Sequence, residues 1–352
     1  MKRVKFGDIV REVKVQVDRN NNPYLHYVAG DHMDSMDLTI RRKGSFATDD
    51  VGPAFIRIFK PGQVLYGSRR TYLKKIAVAD FEGICSNTTF VLETKDSNVF
   101  LQELLPFIML SESFTKWSIS HSKGSTNPYV LFSDLANYEF TLPSLSEQKV
   151  LADKLWAAYR VKESYKNLLA ATDDMLKAKF QEMFGEEGET ISYGDLFYDD
   201  TRHATKIVAA EYKQEGKYAI YDQSSDKVIC GYTDMEDGVC CDYPTILFGD
   251  HSRIIKYIDT PFFIGADGVK IIRPLGSTFI IKFAYYMLKY YNIPNTGYNR
   301  HYKYLQAAKF LCPPLPLQQQ FVEIATQAEA TKESLRKSIE NIDQVIKSLI
   351  NQ

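Results

Sequence analysis

FTLPSLSEQKVLADKL, residues 140–155, aligns without a gap on FLCPPLPLQQQFVEIA, residues 310–325, at an offset of 170. Phe140, Pro143, Leu145 and Gln148 fall on Phe310, Pro313, Leu315 and Gln318, and further on Lys162-Glu163-Ser164 falls on Lys332-Glu333-Ser334. Identities that recur at one fixed offset mark an internal duplication, and a duplication governs the whole architecture. Past each proline-rich lead-in there is no Gly or Pro from Glu147 to Phe184, nor from Leu317 to Gln352. Such breaker-free runs predict two helices of about 35 residues, roughly 50–55 Å each.

Steps of four and three link Leu151, Leu155, Ala158, Lys162, Tyr165, Leu169, Thr172, Leu176 and Lys179 in the first run. The same steps link Phe321, Ala325, Ala328, Lys332, Leu335, Ile339, Ile342, Ile346 and Leu349 in the second. A seam sustained over about four heptads reads as a coiled coil. Its polar members, Lys162, Thr172, Lys179 and Lys332, weaken it, and either fix its register or turn to solvent.

Two segments of different texture lie outside the helical runs (144–187 and 314–352): residues 1–143 and 188–313. Both carry short runs rich in Tyr, Phe and β-branched residues, punctuated by Gly, Pro and Asn, such as QVLYGSRRTYLKKIAV and YPTILFGDHSRIIKYI. They predict mixed α/β domains with several short strands. Weaker echoes connect them: FGDIV from Phe6 with YGDLF from Tyr193, and VLYGSRRTYLKKIAV with ILFGDHSRIIKYI. The expected order is globule, long helix, globule, long helix.

Length and composition agree with this layout. At 352 residues, 45% hydrophobic and 25% charged, the chain is long enough for two cores. No apolar run approaches the 18–20 residues or so of a membrane span, and MKRVKFGDIV is no signal peptide, so a cytoplasmic protein is expected. Five cysteines, with no CxxC pair, favour neither a disulfide framework nor a zinc site. Net charge is −1, split as +2, −2, 0 and −1 over 1–143, 144–189, 190–313 and 314–352. Attraction to nucleic acid must therefore come from local clusters.

Catalytic constellations are missing. The sequence holds no GxxxxGK[ST], GxGxxG or HExxH, and Asn22-Pro23-Tyr24 and Asn127-Pro128-Tyr129 lack the second proline of an amino-methyltransferase tetrapeptide. A nuclease triad of Asp200, Glu211 and Lys213 is conceivable if their side chains converge. No metal site is expected, and the composition reads as a binding or architectural protein.

Loops mixing Arg, Lys, small polar and aromatic residues suit DNA, because recognition needs phosphate donors for affinity and edge readers for sequence. In the first globule the candidates are Arg41, Arg42, Arg69, Arg70, Tyr72, Lys74, Lys123, Ser125 and Asn127. In the second they are Arg202, His203, Gln223, His251, Arg253, Asn299, Arg300 and His301. Each alone reads equally as a solvated charged loop. What raises them is position: Arg69-Arg70 and His251/Arg253 follow the VLYG and ILFG runs of the two globules.

Taken together, LPSLSEQ and PPLPLQQQ, GICSNTTFVLE, TILFGDHSRIIKYI, GADGVKIIRP and TGYNRHYKYL give a chain that resembles the DNA-specificity subunit of type I restriction-modification systems over essentially its whole length. The resemblance implies two similar target-recognition domains separated by two long helices packed as an antiparallel coiled coil, in an α/β (α+β) fold. It implies that each domain reads half of a split site on double-stranded DNA. It also implies that the chain has no catalysis and no cofactor of its own. Partner subunits, two methyltransferases and the translocase/endonuclease restriction subunits, use S-adenosylmethionine, ATP and Mg. Leu151, Leu155, Leu169, Leu176, Phe321, Leu335, Ile339, Ile342, Ile346 and Leu349 become the spacer and subunit-docking positions. Two rival readings share much of this: a specificity module of a type IIG/IIB-like system, and a coiled-coil adaptor that binds protein instead of DNA.

Overall fold

Pro143 and the Pro313-Pro314 pair each end a strand and begin a long helix, Leu145–Phe184 and Leu315–Ile350. Proline fits there because the residues just ahead of a helix donate no N–H to its ladder, and Pro316 occupies the first turn of the second helix, where the N–H has no intrahelical partner either. Ser144 caps the first helix reciprocally with Glu147: the Ser144 amide donates to the Glu147 carboxylate at 2.8 Å, and the Glu147 amide reaches the Ser144 hydroxyl at 3.4 Å. The computed structural model describes residues 2–18, 21–185, 189–265 and 268–351. Ala266 and Asp267 of the GADGVKIIRP run fall outside them. No described helix is long and apolar enough to cross a membrane.

The chain forms two compact units, Met1–Lys166 with Arg336–Gln352, and Asn167–Leu335. In the first unit, four antiparallel strands lie in the order Val10–Glu12, Thr89–Thr94, Val64–Gly67, Ile76–Val78. A second sheet runs Gly44–Ser45, His26–Val28, Gly83–Ser86, Phe55–Phe59, with its central pair parallel. A two-stranded ribbon, Lys2–Lys5 against Glu139–Leu142, leads into the long helix.

The second unit repeats this plan. Its antiparallel sheet is Phe197–Asp199, Val269–Pro274, Thr245–Gly249, Ile255–Ile258, and its ribbon is Thr190–Ser192 against Lys309–Leu311. The other sheet is Gly231–Thr233, Tyr218–Tyr221, Phe262–Gly265, Lys206–Ile207. Here the halves diverge, since the outer strand beside Phe262–Gly265 is parallel and precedes its sheet neighbours in sequence, whereas Phe55–Phe59 is antiparallel to Gly83–Ser86. Each helical repeat thus carries a mixed α/β globule.

One buried glutamine joins each helix to its globule. Gln148 accepts from the Leu101 amide (3.0 Å) and donates to the carbonyls of Val99 and Pro143 (both 3.0 Å). Gln318 does the same with the Ile280 amide (2.9 Å) and the carbonyls of Thr278 (3.0 Å) and Pro313 (2.8 Å). Both glutamines are fully buried. They are the repeat's identical residues, and their partners hold the chain just before the helices Leu105–Leu110 and Ile281–Tyr290.

The second seam is buried or half-buried at each expected position from Phe321 to Leu349. In the first helix Leu155, Lys162, Thr172 and Leu176 are buried as expected. Ahead of Lys162, Leu151 and Ala158 are half-buried, like Ile342 and Leu349 of the second seam, and Ala152 and Tyr159 beside them are buried. The reason is tertiary: that stretch also packs on its globule, with the Trp156 indole donating to the Glu103 carbonyl (2.8 Å) and the Leu38 amide donating to the Tyr159 hydroxyl (2.9 Å).

The polar seam residues are paired. Lys162 binds Asp343 within the first unit, and Lys332 binds Asp173 within the second. Lys162 and Lys332, like Asp173 and Asp343, are 170 residues apart, so one contact is made twice with the repeats exchanged. In each unit the two helices run antiparallel.

A charged network ties the first helix to its globule. Asp37, 5% exposed, accepts from the Tyr159 hydroxyl (2.6 Å), the Thr39 amide (3.0 Å), Arg41 (2.8 Å) and Lys166 (3.1 Å). Burial alone would raise its carboxyl. The hydrogen bonds from Arg41, Tyr159 and Thr39 and the charge of Lys166 outweigh that and hold it well below the usual carboxylate range. In the second unit Glu329, which falls on Tyr159 in the repeat, accepts from Tyr286 and Lys282, both at 2.6 Å.

Two expectations follow. Replacing Gln148 by Leu keeps its bulk but orphans a buried N–H and two carbonyls, which costs about 2 kcal/mol or more. Thermal melting of Gln148→Leu should drop by roughly 4–8 °C, and Gln318→Leu should lose a similar amount; an indifferent pair of variants would refute the clamp. Because the folded carboxyl of Asp37 is depressed, its contribution is complete above about pH 4 and is lost as acid protonates it. Asp37→Asn should be destabilised at pH 7 and should lose less further stability than the unsubstituted chain in a melting series from pH 5 to 2.

Candidate nucleic-acid interface

In the first unit the loop after strand Val64–Gly67 lies against the segment Ser122–Val130. The Arg70 amide donates to the Pro128 carbonyl (2.7 Å) and the Val130 amide to the Ser68 carbonyl (3.0 Å). Lys123 and Tyr129 exchange backbone hydrogen bonds at 2.7 and 2.9 Å, and the Thr71 and Ser122 hydroxyls meet at 3.3 Å. Arg70 and Lys74 take left-handed φ of 51° and 48°, a conformation that L-residues with a Cβ adopt at a cost. The paired loops leave Arg69, Arg70, Tyr72, Lys123, Ser125, Asn127 and Tyr129 exposed. Lys123 also reaches Asp134 at 3.0 Å.

The second unit builds the same pair of loops. Asp250, after strand Thr245–Gly249, takes the His301 amide on its carbonyl (2.8 Å) and the Tyr302 amide on its carboxylate (2.7 Å). The His301 imidazole also lies 3.0 Å from that carbonyl and 3.3 Å from the Thr296 hydroxyl. Arg253, left-handed at φ 63°, donates to the Ile293 carbonyl at 3.2 Å. The His251 amide donates to the side chain of Gln223 (3.1 Å), and the His251 ring stacks on Tyr298 at 4.7 Å and 8°. Gly268, with φ 85°, leaves room for Gln223, because a Cβ there would sit 2.6 Å from its amide nitrogen. Asn299 and Arg300 are exposed beside Tyr298.

Other expected site residues are placed elsewhere. His301 is fully buried; it braces the loop and has no surface to offer DNA, a correction that composition could not supply. Arg41 is committed to Asp37 and Glu163, and Arg42 to Asp34 and the Asp31 carbonyl. Lys74 lines a cavity of about 200 Å³ with Glu112, Tyr159, Lys162, Asp343 and Lys347, where burial pulls its ammonium down. Arg202 and His203 are exposed on a short 3₁₀ turn, His203 against Asp200 at 2.5 Å. Tyr298, in the loop with Asn299 and Arg300 that residue types point to, is exposed with them; Pro128 contributes through its backbone carbonyl alone, which residue type does not announce.

The surface offers charged and amide donors and aromatic rings on braced loops, a set suited to phosphates and base edges. Two members of the conceivable nuclease triad have other partners: Asp200 binds Arg273 and His203, and Lys213 binds Asp234. Among the described residues no three His, Cys, Asp or Glu side chains are grouped to hold a metal.

Comparison with known proteins gives likenesses of sequence and of structure. Residues 54–170 match the family described as type I restriction modification DNA specificity domain. The specificity subunit of the type I restriction enzyme EcoDI from Escherichia coli is 26% identical over 187 residues, which is 52% of this chain and 40% of that protein. Among solved structures, the type I restriction-modification S subunit from M. genitalium superposes with a TM-score of 0.59 at 14% identity, over 99% of this chain and 94% of that one. A chain from a structure describing complex assembly and conformational transition of the type I restriction-modification system gives 0.54 at 19% identity, over 99% and 96%. The structural likenesses establish the shared fold, and the sequence likeness to the type I restriction modification DNA specificity domain extends over residues 54–170, about a third of the chain.

Proposed function

We propose that the chain is the sequence-reading subunit of a type I restriction-modification complex, in which each globule reads one half of a split DNA site. The carrying observation is the loop pair built twice, after equivalent strands and in front of the equivalent short helices Phe132–Ala136 and Tyr302–Gln306. Arg69, Arg70, Tyr72, Lys123, Ser125 and Asn127 are the reader of one half-site. Gln223, His251, Arg253, Asn299 and Arg300 are the reader of the other. Arg and Asn suit bidentate contacts to guanine and adenine.

On this reading the chain holds no cofactor and performs no reaction. Methyltransferase subunits, which use S-adenosylmethionine, and ATP- and Mg-dependent restriction subunits dock on it and supply the chemistry. Its near-neutral charge fits, since partner chains then provide much of the phosphate contact on which affinity rests. The protein-binding adaptor reading is less favoured because Arg69, Arg70 and Asn127, and likewise Asn299 and Arg300, are exposed on loops tied together in one place in each globule.

A methylation map of the source organism, with and without this gene, tests the proposal: N6-methyladenine at one split motif should disappear. An unaltered map alongside an expressed complex would argue for the adaptor. Arg69→Ala should relax one half of the motif and leave the other intact, whereas loss of both halves would count against independent readers. Inserting one heptad between Lys162 and Asp173 and another between Lys332 and Asp343 keeps both lysine–aspartate pairs. This double insertion should change the gap of the methylated motif without changing its halves.

A further inference from the structure

Tyr298 is 88% exposed, the most exposed large apolar side chain among the described residues, yet it is held in place. Its ring lies on the His251 imidazole at 4.7 Å with planes within 8°. Beneath it His251 is anchored through its backbone to Gln223, and its Nδ1 is buried without a hydrogen-bond partner, so the imidazole serves here as an apolar floor. The loop around Tyr298 is closed on itself: the Gly297 amide donates to the Asn295 side chain (3.2 Å), the Asn299 amide to the Gly297 carbonyl (2.9 Å), and the Asn299 side chain to the Thr296 carbonyl. Gly297 turns the chain at φ 77°.

A rigid aromatic with one face stacked and the rest in solvent is organised to receive a second flat group. Bases inside an intact duplex present edges to the grooves and keep their faces covered, so a face contact requires a base step to open. We propose that Tyr298 stacks on a base exposed at an opened step of the second half-site, with Asn299 and Arg300 contacting the flanking backbone; this rests on the DNA-reading function proposed above. In the first globule the exposed tyrosines of the paired loops are Tyr72 at 53% and Tyr129 at 39%, and among the described residues neither rests on another ring as Tyr298 does, so the opened step is assigned to the second half-site alone.

The test uses the full chain in complex with its methyltransferase subunits, and duplexes carrying the motif from the methylation map with 2-aminopurine placed at each position of the second half in turn. Binding should raise fluorescence at a step other than the methylated adenine. Tyr298→Phe should keep that rise and the affinity. Tyr298→Ala should abolish the rise and weaken binding roughly ten- to a hundredfold, with discrimination in the first half-site and the melting temperature unchanged. Wild-type binding by Tyr298→Ala overturns the proposal, and so does a Phe variant as defective as Ala, which would mean that the hydroxyl reads an edge. Loss of first-half discrimination in Tyr298→Ala overturns it as well. A wild-type complex that binds no split motif sinks the DNA-reading function itself, whereas a bound motif with an indifferent Tyr298→Ala sinks only the stacking contact.

Discussion

Everything reached by the long helices depends on how each leaves its globule, and that junction is fixed by a buried side-chain amide. A primary amide can accept and donate at once, so Gln148 and Gln318 each bind an amide N–H ahead of a globule helix, a nearby carbonyl, and the carbonyl of the proline that begins the long helix. An ionised carboxylate has no donor and an ammonium no acceptor. Glutamine therefore satisfies three backbone groups that would otherwise be buried without partners. The strand ribbon, the proline and the helix are held as one corner.

The corner sets where each helix starts, and the exchanged lysine–aspartate pairs set how the helices align. Lys162 with Asp343 and Lys332 with Asp173 are one contact made with the repeats traded, as the two sides of an isologous interface are. A slip along the seam would strand a lysine among apolar neighbours, which disfavours other registers more than it stabilises this one. The network around Asp37 and the Tyr286–Glu329 bond perform a related task with the parts reversed: the helix offers a phenol in one unit and a carboxylate in the other.

The duplication, both long helices and the mixed character of the globules were legible because they are written in local terms: a fixed offset, absent breakers, and short β-branched runs between turns. The second seam was legible for the same reason. The first is widened ahead of Lys162, where Ala152 and Tyr159 are also buried against a globule whose position no periodicity records. Loop residues were less readable still. The hydrogen bonds between Arg70 and Pro128, or between Asp250 and His301, run from backbone to backbone across some fifty residues, so nothing in the side chains announces them. His301 looked like a polar member of a basic loop and is instead the fully buried brace of that loop, while Arg41 is claimed by Asp37, four residues before it, and by Glu163 on the long helix.

The two halves differ where reading would require it. The offset between equivalent residues is 187 at Phe6 and Tyr193 and 170 at Phe140 and Phe310, so the second globule is shorter than the first between elements that both keep. The loop after Val64–Gly67 extends to Ile76, while its counterpart after Thr245–Gly249 reaches its next strand already at Ile255. Two helices, Leu105–Leu110 and Glu112–Ser120, stand where the second unit has Ile281–Tyr290. Strands and corners must coincide for both loop pairs to be carried on the same frame, whereas loop length and side chains are free to vary. On the proposed DNA-reading function, a duplicated frame with unlike loops would give two readers of different sequences, and a site read by such a pair would have no reason to be a palindrome.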